Sequence, residues 1–350
     1  MTMPEGEEAL RLKMLGSARR QTLHVSQAAL VKVGPLLPGN SLPLMIQPAV
    51  EGLSLIGWAT RNREFIEARL VKHGGILFRD FDVKSVAEFE QFIMALAGEL
   101  LEYSYRSTPR SQVSGRIYTS TEYPADQAIP LHNEQAYSLN WPMKIWFFCV
   151  QAARQGGETP IADSRKVFAR IDPTIREQFQ YKKLKYVRNY GDGLDLAWQN
   201  VFQTTDRTVI EDYCRRAGIE FEWKDNNRLR TSQVCQAVAA HPKTGTMVWF
   251  NQAHLSHISS LAPAVRASLL SVFKEEDLPR NVYYGDGSSI DTSTLDEIRE
   301  IYRQEVVTFP WQEGDILMLD NMLTAHGRMP FVSPRQVLVG MAEPYTNMEI

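Results

Sequence analysis

The stretch MKIWFFCVQAA, Met143 to Ala153, constrains the fold more than any other part of the chain. A strand with one wet face alternates apolar and polar side chains, because successive residues point to opposite sides of the sheet. Here the apolar residues from Ile145 to Val150 occupy both parities. The run is much shorter than the roughly 18 apolar residues of a membrane span. It therefore predicts a strand covered on both faces, inside a large core. Material for that core is present, since 44% of the 350 residues are hydrophobic.

Other segments supply its neighbours. NREFIEARLVKHG (Asn62 to Gly74) has apolar residues at helical spacing and stops at two glycines, a C-terminal cap signal. GGILFRDF is a short strand, and SVAEFEQFIMALAGEL is a second amphipathic helix with Ser85 as its N-cap. GRIYTSTEYP alternates like a strand, and strand character returns in GTMVWFNQAHL and across the C-terminal segment from Val306. Residues 1–45 are expected to form an arm laid over the main body, and 46–350 a single domain. Its polar, Lys- and Arg-rich part at about 170–236 is expected to be a helical insertion or lid. Strands that come early, are interrupted and return late suit a mainly β fold with flanking helices (α+β), a double-sheet jelly roll. A doubly wound α/β fold would alternate regularly.

Composition removes several classes of function. A formal net charge of -3 argues against a general nucleic-acid binder. Cys149, Cys214 and Cys235 lack the CxxC spacing of a thiolate zinc cluster, and a disulfide framework is not expected. The N-terminal segment has no apolar signal-peptide core and no stretch is long enough to span a membrane, so the expected location is the cytoplasm.

The chemistry concentrates in PLHNEQAYSLNWP, Pro130 to Pro142. On a strand, His132 and Glu134 project to the same face. They are either a buried ion pair or two ligands of a metal. DNMLTAHGRMPF offers a third ligand, His326, in a loop just beyond the apolar strand DILMLD. Two histidines and one carboxylate make the facial triad of non-haem iron(II) oxygenases, which leaves open positions for a chelating co-substrate and dioxygen. Arg335, at the start of the next strand, has the fork geometry to clamp a carboxylate. The rival pair His254 and His257 has helical spacing but follows a strand-like run. Tyr118 and Thr121, on the strand leading into this region, and Arg230 and Asn251 are candidate substrate contacts. Asp163 and Arg165 read as a structural pair.

The blocks GGILFRDF, LHNEQAYSLNWPMKIWFFCVQAARQGGETPIADSR, HPKTGTMVWFNQAHLSH and DNMLTAHGRMPFVSPRQVLVGMAEPY resemble, in this order, the taurine-dioxygenase-like superfamily of iron(II)/2-oxoglutarate oxygenases. The most similar branch is that around the syringomycin aspartyl hydroxylase, with clavaminate synthase more distant. The resemblance runs from about Trp58 to Tyr345. It implies that His132, Glu134 and His326 bind Fe(II) and that Thr159 and Arg335 hold 2-oxoglutarate. It also implies a double-stranded β-helix (jelly roll) and, with O2, hydroxylation of an unactivated C–H bond. Most of the superfamily has Asp where Glu134 stands, and halogenating relatives have a small residue there, so Glu134 argues against halogenation. The implied substrate is an amino acid, free or presented as an aminoacyl group by a peptidyl carrier protein in natural-product metabolism. The same chemistry also serves desaturation, cyclisation or bond cleavage. A non-catalytic β-barrel binding protein and a zinc hydrolase are the readings from other classes.

Overall fold

The computed structural model describes residues 30–102, 110–120, 123–191 and 195–348. Its largest element is an eight-stranded sheet. The strands follow in the order Val31–Leu37, Asn40–Pro48, Gly75–Phe78, Ile316–Asp320, Asn140–Gln151, Gln336–Thr346, Ile117–Thr119 and Gln112–Ser114. Asn140–Gln151 lies inside it, paired antiparallel to strands on both sides.

That strand behaves as its sequence requires. Every residue from Trp141 to Cys149 is buried. Trp146 and Phe148 pack with Phe89, Phe92 and Ile93 of the helix Val86–Ala97 on one face. Ile145, Phe147 and Cys149 pack with Ile161, Trp311, Val337 and Val339 on the other. The one charge in the run, Lys144, is neutralised by Glu67 at 2.7 Å and Glu343 at 2.6 Å. A buried charge persists only with such partners.

The helix signals around it hold as well. Arg63–His73 ends at Gly74, whose φ of 80° is left-handed and whose N–H bonds the Leu70 carbonyl. Ser85 caps Val86–Ala97 in a reciprocal box with Glu88.

The jelly-roll expectation is not met. None of the sheets formed by the described residues closes on itself, and among those residues the outermost strands of the eight-stranded sheet are Val31–Leu37 and Gln112–Ser114. The early hairpin joins the sheet through a parallel pairing of Asn40–Pro48 with Gly75–Phe78, which widens it instead of wrapping it. The fold is mixed α+β, with further sheets of four, three, two and two strands. From residue 31 the expected arm is this edge hairpin; residues 1–29 lie outside the described residues.

The expected helical lid is also corrected. Residues 170–236 do carry helices, Pro173–Lys182, Trp198–Phe202 and Arg207–Ala217. They also supply three strands of the four-stranded antiparallel sheet, Glu220–Lys224, Arg228–Cys235 and Leu184–Tyr190, which Arg280–Tyr284 completes. Arg228–Cys235 has strict strand periodicity: Leu229, Thr231, Gln233 and Cys235 are buried and the residues between them are not. Two polar residues on the inner face hid that alternation.

Candidate metal centre

A three-stranded sheet unites the two histidines. Ile129–His132 and Ile161–Asp163 flank Thr324–Arg328, and His132 stands opposite His326 in the antiparallel register. Their ring centroids are 4.6 Å apart. The register then slips between His326 and Arg328. Gly327 permits the close approach there, since a Cβ would lie 2.5 Å from the Ile129 carbonyl oxygen.

Glu134 arrives differently from the same-strand reading. The strand ends at His132, and Glu134 belongs to the turn that follows. Asn321, fully buried just before the strand of His326, fixes that turn. Its Oδ1 accepts the Glu134 N–H at 2.8 Å, and its Nδ2 donates to the carbonyls of Glu134 and Pro142, each at 2.9 Å. Asn133 Nδ2 donates to the Asn321 carbonyl at 2.6 Å, and Gln252 Nε2 to the Asn133 carbonyl at 2.8 Å.

Ligand atoms of His132, Glu134 and His326 lie within 4.8 Å of one another. His132 Nδ1 bonds the Pro130 carbonyl at 2.9 Å. A carbonyl only accepts, so Nδ1 carries the proton and Nε2 keeps a free lone pair. The buried Nδ1 of His326 has no hydrogen-bond partner among the described residues. Burial pushes the His326 imidazole well below its ordinary value, and His132 and Arg110 push the same way. Burial also lowers His132, against the pull of the Glu134 carboxylate. Two neutral imidazoles and a carboxylate fit a divalent iron, because ligands must be deprotonated to bind.

The cavity beside the triad is lined by His132, His326, Phe147, Thr159, Arg110, Ser120, Arg328 and Arg335, among others. Phe147 places its ring 5.0 Å from that of His326. Thr159 Oγ1 accepts from Trp311 Nε1 at 3.2 Å. Arg335 Nε donates to the Gly157 carbonyl at 2.8 Å and Nη1 to Ser120 Oγ at 3.3 Å. Gly157 (φ 75°) lets that side chain lie close, since a Cβ would come within 2.9 Å of Arg335 Cδ. Burial and nearby Arg328 pull the Arg335 guanidinium down to about 10, so it remains charged near neutrality.

The remaining candidates sit elsewhere. Tyr118 is buried in the sheet core with Phe147 and Val339 and does not line this cavity. Asn251 spends its amide on the backbone, donating to the Ala237 carbonyl and accepting the Ala253 N–H. Arg230 lies on the four-stranded sheet between Asn189 and Glu222. Thr121 lies outside the described residues. His254 is a packing residue: Nε2 bonds the Leu131 carbonyl at 2.9 Å and the ring stacks on Tyr302. Asp163 and Arg165 form the expected pair at 2.7 Å. Sequence reading missed Asn321 and Arg110, neither of which belongs to a local ligand pattern.

A family model described as Taurine catabolism dioxygenase TauD, TfdA family matches residues 39–342. The chain belongs to this family. It carries the facial triad and is a non-haem iron(II)/2-oxoglutarate-dependent enzyme. It is 42% identical over 279 residues to the dapdiamide synthesis protein DdaC of Enterobacter agglomerans, covering 80% of this chain and 85% of that one. A clavaminate synthase-like protein of Arabidopsis thaliana is 30% identical over 317 residues, covering 88% and 90%. Among solved structures, PvcB of Pseudomonas aeruginosa superposes with a TM-score of 0.54 at 14% identity, covering 91% of this chain and 94% of that one, a likeness of fold. Among the described residues no helix is long and apolar enough to cross a membrane.

Proposed function

We propose that this TauD/TfdA family member hydroxylates an unactivated C–H bond of an amino acid, free or presented by a peptidyl carrier protein, in natural-product metabolism. The observation that carries the reading is the convergence of His132, Glu134 and His326 beside a cavity that also holds Arg335 and Thr159. Bound iron supplies oxygen activation coupled to decarboxylation of 2-oxoglutarate to succinate.

The chain's own residues do the positioning. His132, oriented by the Pro130 carbonyl, presents its Nε2 lone pair. Arg335, charged and anchored on Gly157, takes the far carboxylate of 2-oxoglutarate, and the Thr159 hydroxyl adds a hydrogen bond to it. Phe147 and the sheet beneath it keep bulk water from the ring of His326. Relatives named for dapdiamide synthesis and for an isonitrile synthetic pathway support a role in building small molecules.

The test incubates iron-loaded protein with 2-oxoglutarate, oxygen and candidate amino acids, free and carrier-tethered, under mass spectrometry. The expected result is a product heavier by one oxygen atom, with matching succinate. Loss of two hydrogens would reassign the outcome to desaturation. Oxygen-dependent succinate with no modified amino-acid substrate of either kind would refute the substrate class.

A further inference from the structure

Arg110 stands against the triad in a way that the iron and 2-oxoglutarate reading does not use. Its Nη2 donates to Glu134 Oε2 at 2.6 Å, with the two side chains only 4% and 3% exposed. It lines the same cavity as His132, His326 and Arg335. The bond is charge-assisted and buried, the class of hydrogen bond about twice as strong as a neutral one. It engages one named oxygen of a residue that must serve as a ligand.

Glu134 has a liability that an aspartate would have less of. Its extra methylene adds a torsion, and with it the freedom to turn both carboxylate oxygens toward a metal. Coordination count makes that harmful. Two imidazoles and one carboxylate oxygen leave half of an octahedral ion's positions open. A 2-oxoglutarate chelating through its keto and carboxylate oxygens would fill all but one of these and leave the last for dioxygen. A chelating Glu134 would consume a position, and co-substrate and dioxygen would then compete.

We propose that Arg110 is a positioning residue that keeps Glu134 a one-oxygen ligand, by holding Oε2 while Oε1 faces the metal. This rests on the iron and 2-oxoglutarate reading of the site. Partners of metal-ligating groups at this remove typically change metal affinity or activity 10–100-fold when mutated. Here the change is directed: co-substrate chelation suffers more than metal binding, because a freed Glu134 competes with 2-oxoglutarate and not with the ion.

The experiment compares the full-length wild type with Arg110→Ala, Arg110→Lys and Arg110→Gln. Metal affinity is measured by Mn(II) titration. Chelation is followed anaerobically through the visible charge-transfer absorption that Fe(II) develops with a 2-keto acid. Arg110→Ala should bind Mn(II) within about threefold of wild type, yet need roughly 10–100-fold more 2-oxoglutarate to develop the band. Arg110→Lys, which keeps a charged donor, should recover most of that loss. Equal losses of metal and co-substrate affinity would mean a merely structural role and overturn the proposal, as would an unchanged band. Should Arg110→Ala fail to fold, Arg110→Gln decides, with an intermediate loss expected and wild-type chelation overturning the proposal. A wild type that shows no band would instead refute the underlying reading of the site.

Discussion

His132 and His326 are register partners on adjacent antiparallel strands, separated in sequence by most of the protein and in space by 4.6 Å between ring centroids. Strand pairing thus delivers two of the three ligands before any side-chain adjustment. Replacing His132 with Ala should abolish iron binding and succinate formation together, while the apoprotein stays folded because His132 as a residue is only partly buried, unlike Glu134 and His326. Metal analysis of purified protein alongside a succinate assay checks this. Full activity in a folded His132→Ala protein would refute the ligand assignment.

Asn321 has a sharper structural consequence. One buried side chain satisfies the backbone of Glu134 and Pro142 through three hydrogen bonds. Asn321→Ala should strand those groups at about 1–3 kcal/mol for each one left unsatisfied. The expected outcome is a lowered midpoint in chemical denaturation and metal affinity reduced by at least about tenfold, since the Glu134 turn loses its anchor. Asn321→Asp tests the parts separately, because it can accept from the Glu134 N–H but cannot donate to the two carbonyls. Unchanged metal affinity in Asn321→Ala would show that the turn holds Glu134 without it.

Sequence reading succeeded where physics is periodic or local. The apolar strand through Trp146 and Phe148, the Gly74 stop and the Ser85 cap are legible because each depends on neighbours a few residues away. Closure of a sheet has no such local signature, so the jelly roll could not be separated from an open sheet widened by a parallel pairing at Leu44–Ile46. His132 and Glu134 were paired on a strand argument, yet the turn held by Asn321 sets Glu134 in place. Contacts such as Arg110 to Glu134, 24 residues apart, and Asn321 to Glu134, 187 apart, leave no spacing to read.

Arg335 should control co-substrate affinity without controlling the metal. It lines the triad cavity, and its anchors are Gly157 and Ser120, not a ligand. Arg335→Ala is expected to raise the 2-oxoglutarate requirement by about a hundredfold or more. That follows from about 3–5 kcal/mol for losing one partner of a buried charge pair, at about 1.4 kcal/mol per decade. Iron content should be unchanged. Arg335→Lys should recover only part, because an ammonium lacks the guanidinium fork. An unaltered requirement in Arg335→Ala would place the carboxylate clamp on another residue.

Acid should destabilise the metal-free protein through histidines that bind no metal. Burial pushes His254 down to about 4 from an ordinary 6.5, against the pull of the Leu131 carbonyl. It pushes His257 to about 4 as well, helped by Arg299. Both folded values lie below the unfolded one, so between about 6.5 and about 4 the unfolded chain binds more protons and stability falls with falling pH. Above that window these groups contribute no slope. At about 1.4 kcal/mol per pK unit, complete titration at His254 is worth roughly 3 kcal/mol, and less at His257, which is nearer the surface. Denaturation of metal-free protein at several pH values from 7 to 4.5 should show this loss. His254→Gln should flatten the slope, since an amide can still bond the Leu131 carbonyl but takes up no proton in this range. An identical slope in that variant would mean that His254 is already accessible to protons in the folded state.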